Sequence, residues 1–150
     1  MGAYHFFSYD SPGRTQAENF IATVGKAEGM LPPVVDIEFY GDKEKHPPKR
    51  EDVEAILTEM LRYLEAYYDR KPILYATQKS YRLYIEDSYE GYDIWIRNVL
   101  SRPDLPDGRK WTFWQYSHRE KLDGYAGQEE DIDMNVFNGT AEAFDAYAKK

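Results

Sequence analysis

The sequence predicts an α/β protein whose strands and helices alternate at first and whose last third is rich in strands. Two observations lead to this class. Short runs of β-branched and aromatic residues alternate with longer segments of helical periodicity. After residue 90 the strand-like runs continue, while helical periodicity is weak until the closing segment. An alternating order of strands and helices favours a mostly parallel sheet covered by helices.

Each element has a local signal in the sequence. The clearest helix covers residues 51–68, where apolar side chains recur every three or four positions. A helix at 15–28 is predicted to stop at Gly29, and shorter helices are predicted at 80–85 and 140–149. The predicted strands cover residues 2–9, 31–40, 72–77, 92–97, 111–117 and 131–137.

Composition narrows the classes of function. With 150 residues and no internal linker, the chain is expected to form one domain over residues 1–150 with a substantial core. The net charge of −8 argues against a nucleic-acid partner, which would favour a basic surface. No apolar run approaches the roughly 20 residues of a membrane-spanning helix. No cationic amphipathic segment suggests a membrane surface, and the N-terminus lacks the pattern of a signal peptide.

Residue types also limit the chemistry. There are no cysteines, which excludes disulfides, thiol catalysis and cysteine-based metal sites. His5, His46 and His118 are far apart and show no ligand spacing, so neither a metal nor another cofactor is predicted. Aromatic residues make up 16% of the chain, and most are tyrosines, which combine a stacking face with a hydroxyl group. This excess modestly favours a groove that binds sugars or peptides.

The most informative feature is the pair Asp36 and Glu38 in the strand-like run at 31–40. The two residues are two positions apart on a strand, so their side chains point to the same face. Two acids on an apolar strand cost free energy unless they bind or react with something. An ordinary ion pair is the alternative, but alternating α/β folds place their chemistry at the carboxyl ends of strands. A carboxylate pair held in different environments is what glycoside hydrolysis needs.

Six motifs occur in an order that matches one known family. They cover residues 2–6 (GAYHF), 33–38 (PVVDIE), 72–75 (PILY), 94–96 (IWI), 113–117 (FWQYS) and 131–137 (DIDMNVF). In these motifs the chain resembles the glycoside hydrolase family 25 muramidases, the Chalaropsis-type lysozymes. The resemblance implies a TIM-barrel-like (β/α) glycosidase barrel with fewer helices in its final third. It also implies hydrolysis of the β-1,4 bond between N-acetylmuramic acid and N-acetylglucosamine in peptidoglycan, outside the cell or in its wall.

The resemblance also suggests roles for three acidic residues. Glu38 matches the general acid, which protonates the leaving glycosidic oxygen and needs a raised pKa. Asp36 is expected to stay ionised, and either to stabilise positive charge at the anomeric carbon or to orient the substrate's N-acetyl group. Asp133 matches a third acid on the same rim, with an orienting or electrostatic role. Asp131 shares a face with Asp133 and the residues alone leave both open, but the resemblance favours Asp133.

Four further residues match positions that line the sugar groove of the family: Tyr4, Tyr75, Trp95 and Gln115. Aromatic faces would stack on sugar rings, and the amide of Gln115 would form hydrogen bonds with the sugar. Packing in the barrel core is the alternative for the three aromatic residues. Trp111 and Trp114 are expected to serve packing alone.

The chain departs from the family's pattern at its beginning. Family members carry an Asp-x-Ser strand, a helix and a second strand before the motif at 2–6, so the resemblance implies a barrel without its first two strands. Residues 4–9 would then form an exposed edge strand rich in aromatic side chains. We expect a homodimer or a strand exchange to cover this edge.

Three functions fit these residues to different degrees. A muramidase is the leading hypothesis. The second is a catalytically weak or inactive domain that binds peptidoglycan glycan strands through the same groove. The third is a chitinase-like barrel, but such barrels have a longer Asp-x-x-Asp-x-Asp-x-Glu motif, and this chain has Val34 where the preceding Asp would be.

Overall fold

The computed structural model describes residues 1–121 and 131–149. Within these ranges the chain forms six strands and four helices, in the predicted order and of the predicted type. They are β1 (Tyr4–Phe6), α1 (Gly13–Val24), β2 (Val34–Ile37), α2 (Arg50–Tyr68), β3 (Ile73–Thr77), α3 (Gln78–Tyr84), β4 (Ile94–Arg97), β5 (Phe113–Glu120), β6 (Ile132–Phe137) and α4 (Ala141–Ala148).

The six strands form one sheet in the order β1-β2-β3-β4-β5-β6. The first five strands are parallel, and β6 runs antiparallel to β5. The sheet curls into a half barrel, which confirms the predicted α/β, barrel-like class. Because neighbouring strands are parallel, the carboxyl ends of β1 to β5 meet at one rim.

The outer face of the sheet forms the main hydrophobic core together with the helices. Val35, Leu74 and Ile96 point outward from consecutive strands and are fully buried. Leu57 and Leu61 of the amphipathic helix α2 lie in the same cluster and are equally buried. Each such side chain stabilises the fold by about 1.5–3 kcal/mol relative to an exposed position.

Helix α4 closes the inner face at the amino ends of the strands. Its residues Phe144 and Tyr147 pack against Phe113 and the other buried side chains of a second apolar cluster. The Tyr147 hydroxyl donates a hydrogen bond of 2.8 Å to the carboxylate of Asp93, just before β4. The inner face is therefore apolar at one end and open at the other, where the strands end.

Helix α1 ends four residues earlier than predicted. Gly25 has a φ of 62°, and its backbone N–H bonds to the carbonyl of Ile21, so the chain leaves the helix there and not at Gly29. Both glycines permit this conformation, and the first one ends the helix. At the other end, Gly13 allows α1 to approach α2, because a Cβ at this position would lie 2.0 Å from the carbonyl oxygen of Ile56.

The edge strand β1 is shorter than predicted, but it is exposed as expected. Tyr4 retains 69% and Phe6 46% of its accessible surface. Pairing with β2 continues to Phe7, whose N–H bonds to the carbonyl of Asp36 at 2.8 Å. Association of two copies or strand exchange through this edge stays a prediction. No helix in the described parts of the chain is long and apolar enough to span a membrane.

Candidate active site

One pocket of about 220 Å³ on the inner face brings together all seven residues proposed from the sequence. Its walls are formed by Tyr4, Val34, Asp36, Glu38, Tyr75, Trp95, Gln115 and Asp133. Strand register explains the grouping, because Asp36 lies beside Tyr75, which lies beside Trp95. The alternation of side chains along each strand turns these residues to the same face.

The two carboxylates of β2 differ in their surroundings. Asp36 lies within the strand, and its Oδ1 is buried without a hydrogen-bond partner among the described residues. Burial, together with the negative charge of Glu38, raises the pKa of Asp36 to about 7. Glu38 follows the last residue of the strand and is half-buried. In the free protein near neutral pH Asp36 is therefore partly protonated, because the deeper position penalises its charged form. Its ionised state during the reaction stays a prediction.

The amide of Gln115 is held in place by Tyr75. The Tyr75 hydroxyl donates a hydrogen bond to the Gln115 amide oxygen, and both side chains are buried. Burial and the nearby carboxylate of Glu38 raise the pKa of Tyr75 well above its usual value, so the phenol remains a donor. The amide nitrogen of Gln115 has no acceptor in the described part of the chain. It is thus free to donate to a ligand.

The other aromatic walls differ in exposure. Trp95 is half-buried; its indole N–H donates to Asn135 Oδ1 at 2.9 Å, and its ring meets Tyr75 edge-on. Tyr4 is largely exposed, so core packing does not explain its position. Its ring is free to stack on a ligand that enters the open side of the half barrel.

The structure separates the residues that the sequence left ambiguous. Asp133 lies on β6 and lines the pocket, whereas Asp131 precedes the strand and does not. Trp111 is buried in the outer core, and Trp114 packs against it while donating to the Asn98 carbonyl at 2.7 Å. Both tryptophans serve packing, as predicted.

Sequence reasoning missed two residues near the site. The Tyr9 hydroxyl is buried without a partner in the described part of the chain, close enough to Asp36 and Glu38 for their charges to add to the rise in its pKa. Tyr9 belongs to the predicted strand 2–9 but lies in a turn after β1, so strand alternation did not place its hydroxyl near the acids. Arg97 ends β4, two residues after Trp95. Strand alternation from Trp95 was the signal that could have placed Arg97 on the inner face.

The site can carry out proton transfer and charge stabilisation through its carboxylates, beside aromatic surfaces and an amide donor. Among residues 1–121 and 131–149, no group of three or more His, Asp or Glu side chains is arranged to hold a metal ion. A carboxylate pair at the carboxyl end of a barrel strand, facing aromatic walls, defines the class of α/β glycosidases.

Comparison with known proteins identifies the family within this class. A family model described as "Glycosyl hydrolases family 25" matches residues 1–125, so the chain belongs to glycosyl hydrolase family 25. The structure of a family 25 glycosyl hydrolase from Bacillus anthracis is similar, with 58% identity and a TM-score of 0.91, over 97% of this chain and 67% of that one. A lysozyme structure from Streptomyces coelicolor is 26% identical, with a TM-score of 0.83, over 99% of this chain and 71% of that one.

Two curated proteins are also similar to this chain. The uncharacterised protein YegX of Escherichia coli K12 is 32% identical over 97% of this chain and 51% of its own length. Lysozyme M1 of Streptomyces globisporus is 30% identical over 93% of this chain and 50% of its own length. The chain thus spans about half the length of the curated relatives it matches.

Proposed function

We propose that this chain is a lysozyme-type muramidase, which hydrolyses the β-1,4 bond between N-acetylmuramic acid and N-acetylglucosamine in bacterial peptidoglycan. The observation that carries the proposal is the placement of Asp36 in β2 and Glu38 just beyond its end together in one pocket. Membership of family 25 and the resemblance to lysozymes support it.

In this proposal Glu38 is the general acid. It lies beyond the end of β2, lines the pocket and is only half-buried, so its carboxyl group can reach the glycosidic oxygen of a bound glycan. A positioned acid that protonates the leaving oxygen contributes roughly 10²–10⁴-fold to the rate.

Asp36 would act on the sugar from deeper in the pocket. With a pKa of about 7 in the free protein, it is partly protonated at neutral pH. Positive charge that develops at the anomeric carbon would favour its ionised form, which stabilises that charge. In the alternative role, the ionised carboxylate of Asp36 accepts a hydrogen bond from the N–H of the substrate's N-acetyl group and so orients that group. Asp133 would add negative potential or orient the glycan from β6.

The pocket walls would hold the sugar rings. Tyr4 and Trp95 offer aromatic faces, and the free amide nitrogen of Gln115 offers a donor. Tyr75 contributes by fixing the Gln115 amide. Because such a site works where peptidoglycan is found, we infer that the protein acts outside the cell or at the cell wall.

A catalytically weak glycan-binding domain is the second candidate. The exposure of Tyr4 and Phe6 favours it, because aromatic faces open to solvent suit the binding of glycans. Such a domain would bind glycan strands but release no products.

The deciding experiment measures new reducing ends released from purified peptidoglycan. We expect release by the wild type, a loss of at least about 100-fold for Glu38→Gln, and no loss for the exposed control Glu28→Gln. Thermal melts should show that all three proteins are folded. If the wild type binds glycan strands but releases no reducing ends, the binding domain is the better description. Equal release by wild type and Glu38→Gln would exclude Glu38 as the acid.

A further inference from the structure

Arg97 occupies a central position on the rim of the proposed site. It is the last residue of β4, and its side chain shares the inner face with Trp95 because the two are two positions apart. Strand register places Arg97 between Thr77 of β3 and Gln115 of β5. Since Ile37 pairs with Ala76, Glu38 lies level with Thr77, two strands from Arg97. With strands about 4.8 Å apart, the backbones of Glu38 and Arg97 are separated by about 10 Å.

The charge of Arg97 has no partner in the described part of the chain. Other arginines form short ion pairs, such as Arg50 with Glu54 at 2.6 Å and Arg109 with Asp107 at 2.9 Å. Arg97 forms neither a salt bridge nor a side-chain hydrogen bond with any described residue, although it is half-buried. Its positive charge reaches into the pocket, where it lowers the pKa of Tyr75 against the stronger influences that raise it.

A half-buried guanidinium without a carboxylate partner is suited to an anionic ligand group. Its planar N–H fork matches a carboxylate with two parallel hydrogen bonds. Three acids, Asp36, Glu38 and Asp133, line the same pocket and would repel an anion that came too close to them. Arg97 therefore offers a place on this rim where a carboxylate of the substrate could be accommodated.

The proposed substrate carries such a group on only one of its two sugars. N-acetylmuramic acid bears a lactyl ether that ends in a carboxyl group, either free or extended by a stem peptide with its own carboxylates, whereas N-acetylglucosamine bears none. We propose that Arg97 binds a carboxylate of the muramyl residue and so selects muramyl glycans over neutral polymers of N-acetylglucosamine. This inference rests on the proposed function and adds a specificity determinant to it.

The test measures binding without turnover, in a Glu38→Gln background. Three tetrasaccharides serve as probes in calorimetry: a muramyl glycan with free lactyl groups, the same glycan with stem peptides, and neutral chitotetraose. In this background Arg97→Gln should weaken binding of at least one muramyl glycan roughly 10- to 100-fold, the range for a lost charge-assisted hydrogen bond. Binding of chitotetraose should change less than about twofold. Arg97→Lys, which keeps the charge but loses the planar fork, should be intermediate.

Some outcomes would identify which carboxylate Arg97 binds, and others would contradict the proposal. If Arg97→Gln loses affinity for the peptide-free glycan, the bound group is the lactyl carboxylate. If it loses affinity only for the peptide-bearing glycan, the bound group is a carboxylate of the stem peptide. Arg82→Gln, an exposed control on α3, should leave all three affinities unchanged. An equal loss of affinity for charged and neutral glycans would show that Arg97 has a merely structural role and would overturn the proposal. The proposal would also be overturned if Arg97→Gln caused no loss of affinity for either muramyl glycan, or if the Glu38→Gln parent bound neither of them. The reducing-end assay judges hydrolysis by the wild type separately from these results.

Discussion

Every central strand of this protein contributes to two faces of the sheet, and the faces have opposite properties. On β2, Val35 and Ile37 point outward and are fully buried in the main apolar core, whereas Asp36 points inward with a buried oxygen that has no partner among the described residues. On β3, Leu74 belongs to the outer core and Tyr75 to the inner pocket. Residues one position apart therefore serve stability and function separately.

The two faces show how a short strand can contain a site that lowers the stability of the fold. The outer face supplies apolar burial, which is the main favourable term in folding. The inner face keeps two acids close together at a cost in stability, because burial and the negative charge of Glu38 oppose the charged form of Asp36. Because side chains alternate along a strand, apolar burial on the outer face can compensate for the cost of the acids on the inner face without any change in backbone geometry. Substitutions on the two faces should thus have separable effects.

The largest change in the free energy of unfolding is expected from Leu74→Ala on the outer face. Leu74 is fully buried, so its truncation removes apolar contacts and leaves a cavity that should lower the free energy of unfolding by about 2–5 kcal/mol. Urea denaturation followed by tryptophan fluorescence measures this change. The same substitution at Leu100, which is 93% exposed, should change stability by less than about 0.5 kcal/mol. Similar losses at both positions would mean that the outer face does not carry the stability we assign to it.

A smaller change in the free energy of unfolding, of opposite sign, is expected from Asp36→Asn on the inner face. The pKa of Asp36 is about 7 in the folded protein, above its ordinary value of 3.8, so the folded state binds this proton more tightly than the unfolded state. The contribution of Asp36 to stability is therefore full below pH 4 and is lost as the pH rises through about 7. Because Asp36 is partly exposed, the effect is reduced by solvent: Asp36→Asn should raise the free energy of unfolding by about 1 kcal/mol at pH 8, which corresponds to roughly 2–4 °C in Tm.

The measurement for Asp36 is a series of thermal melts between pH 4.5 and pH 8. The advantage of Asp36→Asn over the wild type should grow with pH across this range. Asp104→Asn, at an exposed position, is the matched control and should show no such trend. A constant difference between Asp36→Asn and wild type at every pH would contradict a raised pKa at Asp36.

The smallest effect on stability is expected from Tyr4→Ala on the open edge. Tyr4 is 69% exposed, so we expect a change of less than about 0.5 kcal/mol. Loss of its stacking face should weaken glycan binding roughly 2- to 10-fold. Tyr67→Ala on α2, outside the pocket, should leave binding unchanged. Unaltered glycan affinity in Tyr4→Ala would remove Tyr4 from the binding surface.

Local patterns in the sequence predict the elements and the central pair of acids. Helical periodicity at 51–68 and β-branched runs such as Val34–Ile37 are local patterns, and the structure confirms the elements they predicted. The shared face of Asp36 and Glu38 also follows from local geometry, since alternate residues on a strand always point the same way. Resemblance between motifs added Gln115 and Asp133, which nothing local connects to Asp36.

The way in which these parts meet depends on the tertiary structure. The register of six strands brings Asp133 and not Asp131 to the pocket, places Arg97 beside Gln115, and joins Tyr75 to the Gln115 amide. The raised pKa of Asp36 could not be predicted either, because it depends on how much solvent the assembled half barrel removes from that carboxyl group. These are long-range properties: they arise from burial and from contacts between residues far apart in the chain, which local residue patterns do not specify.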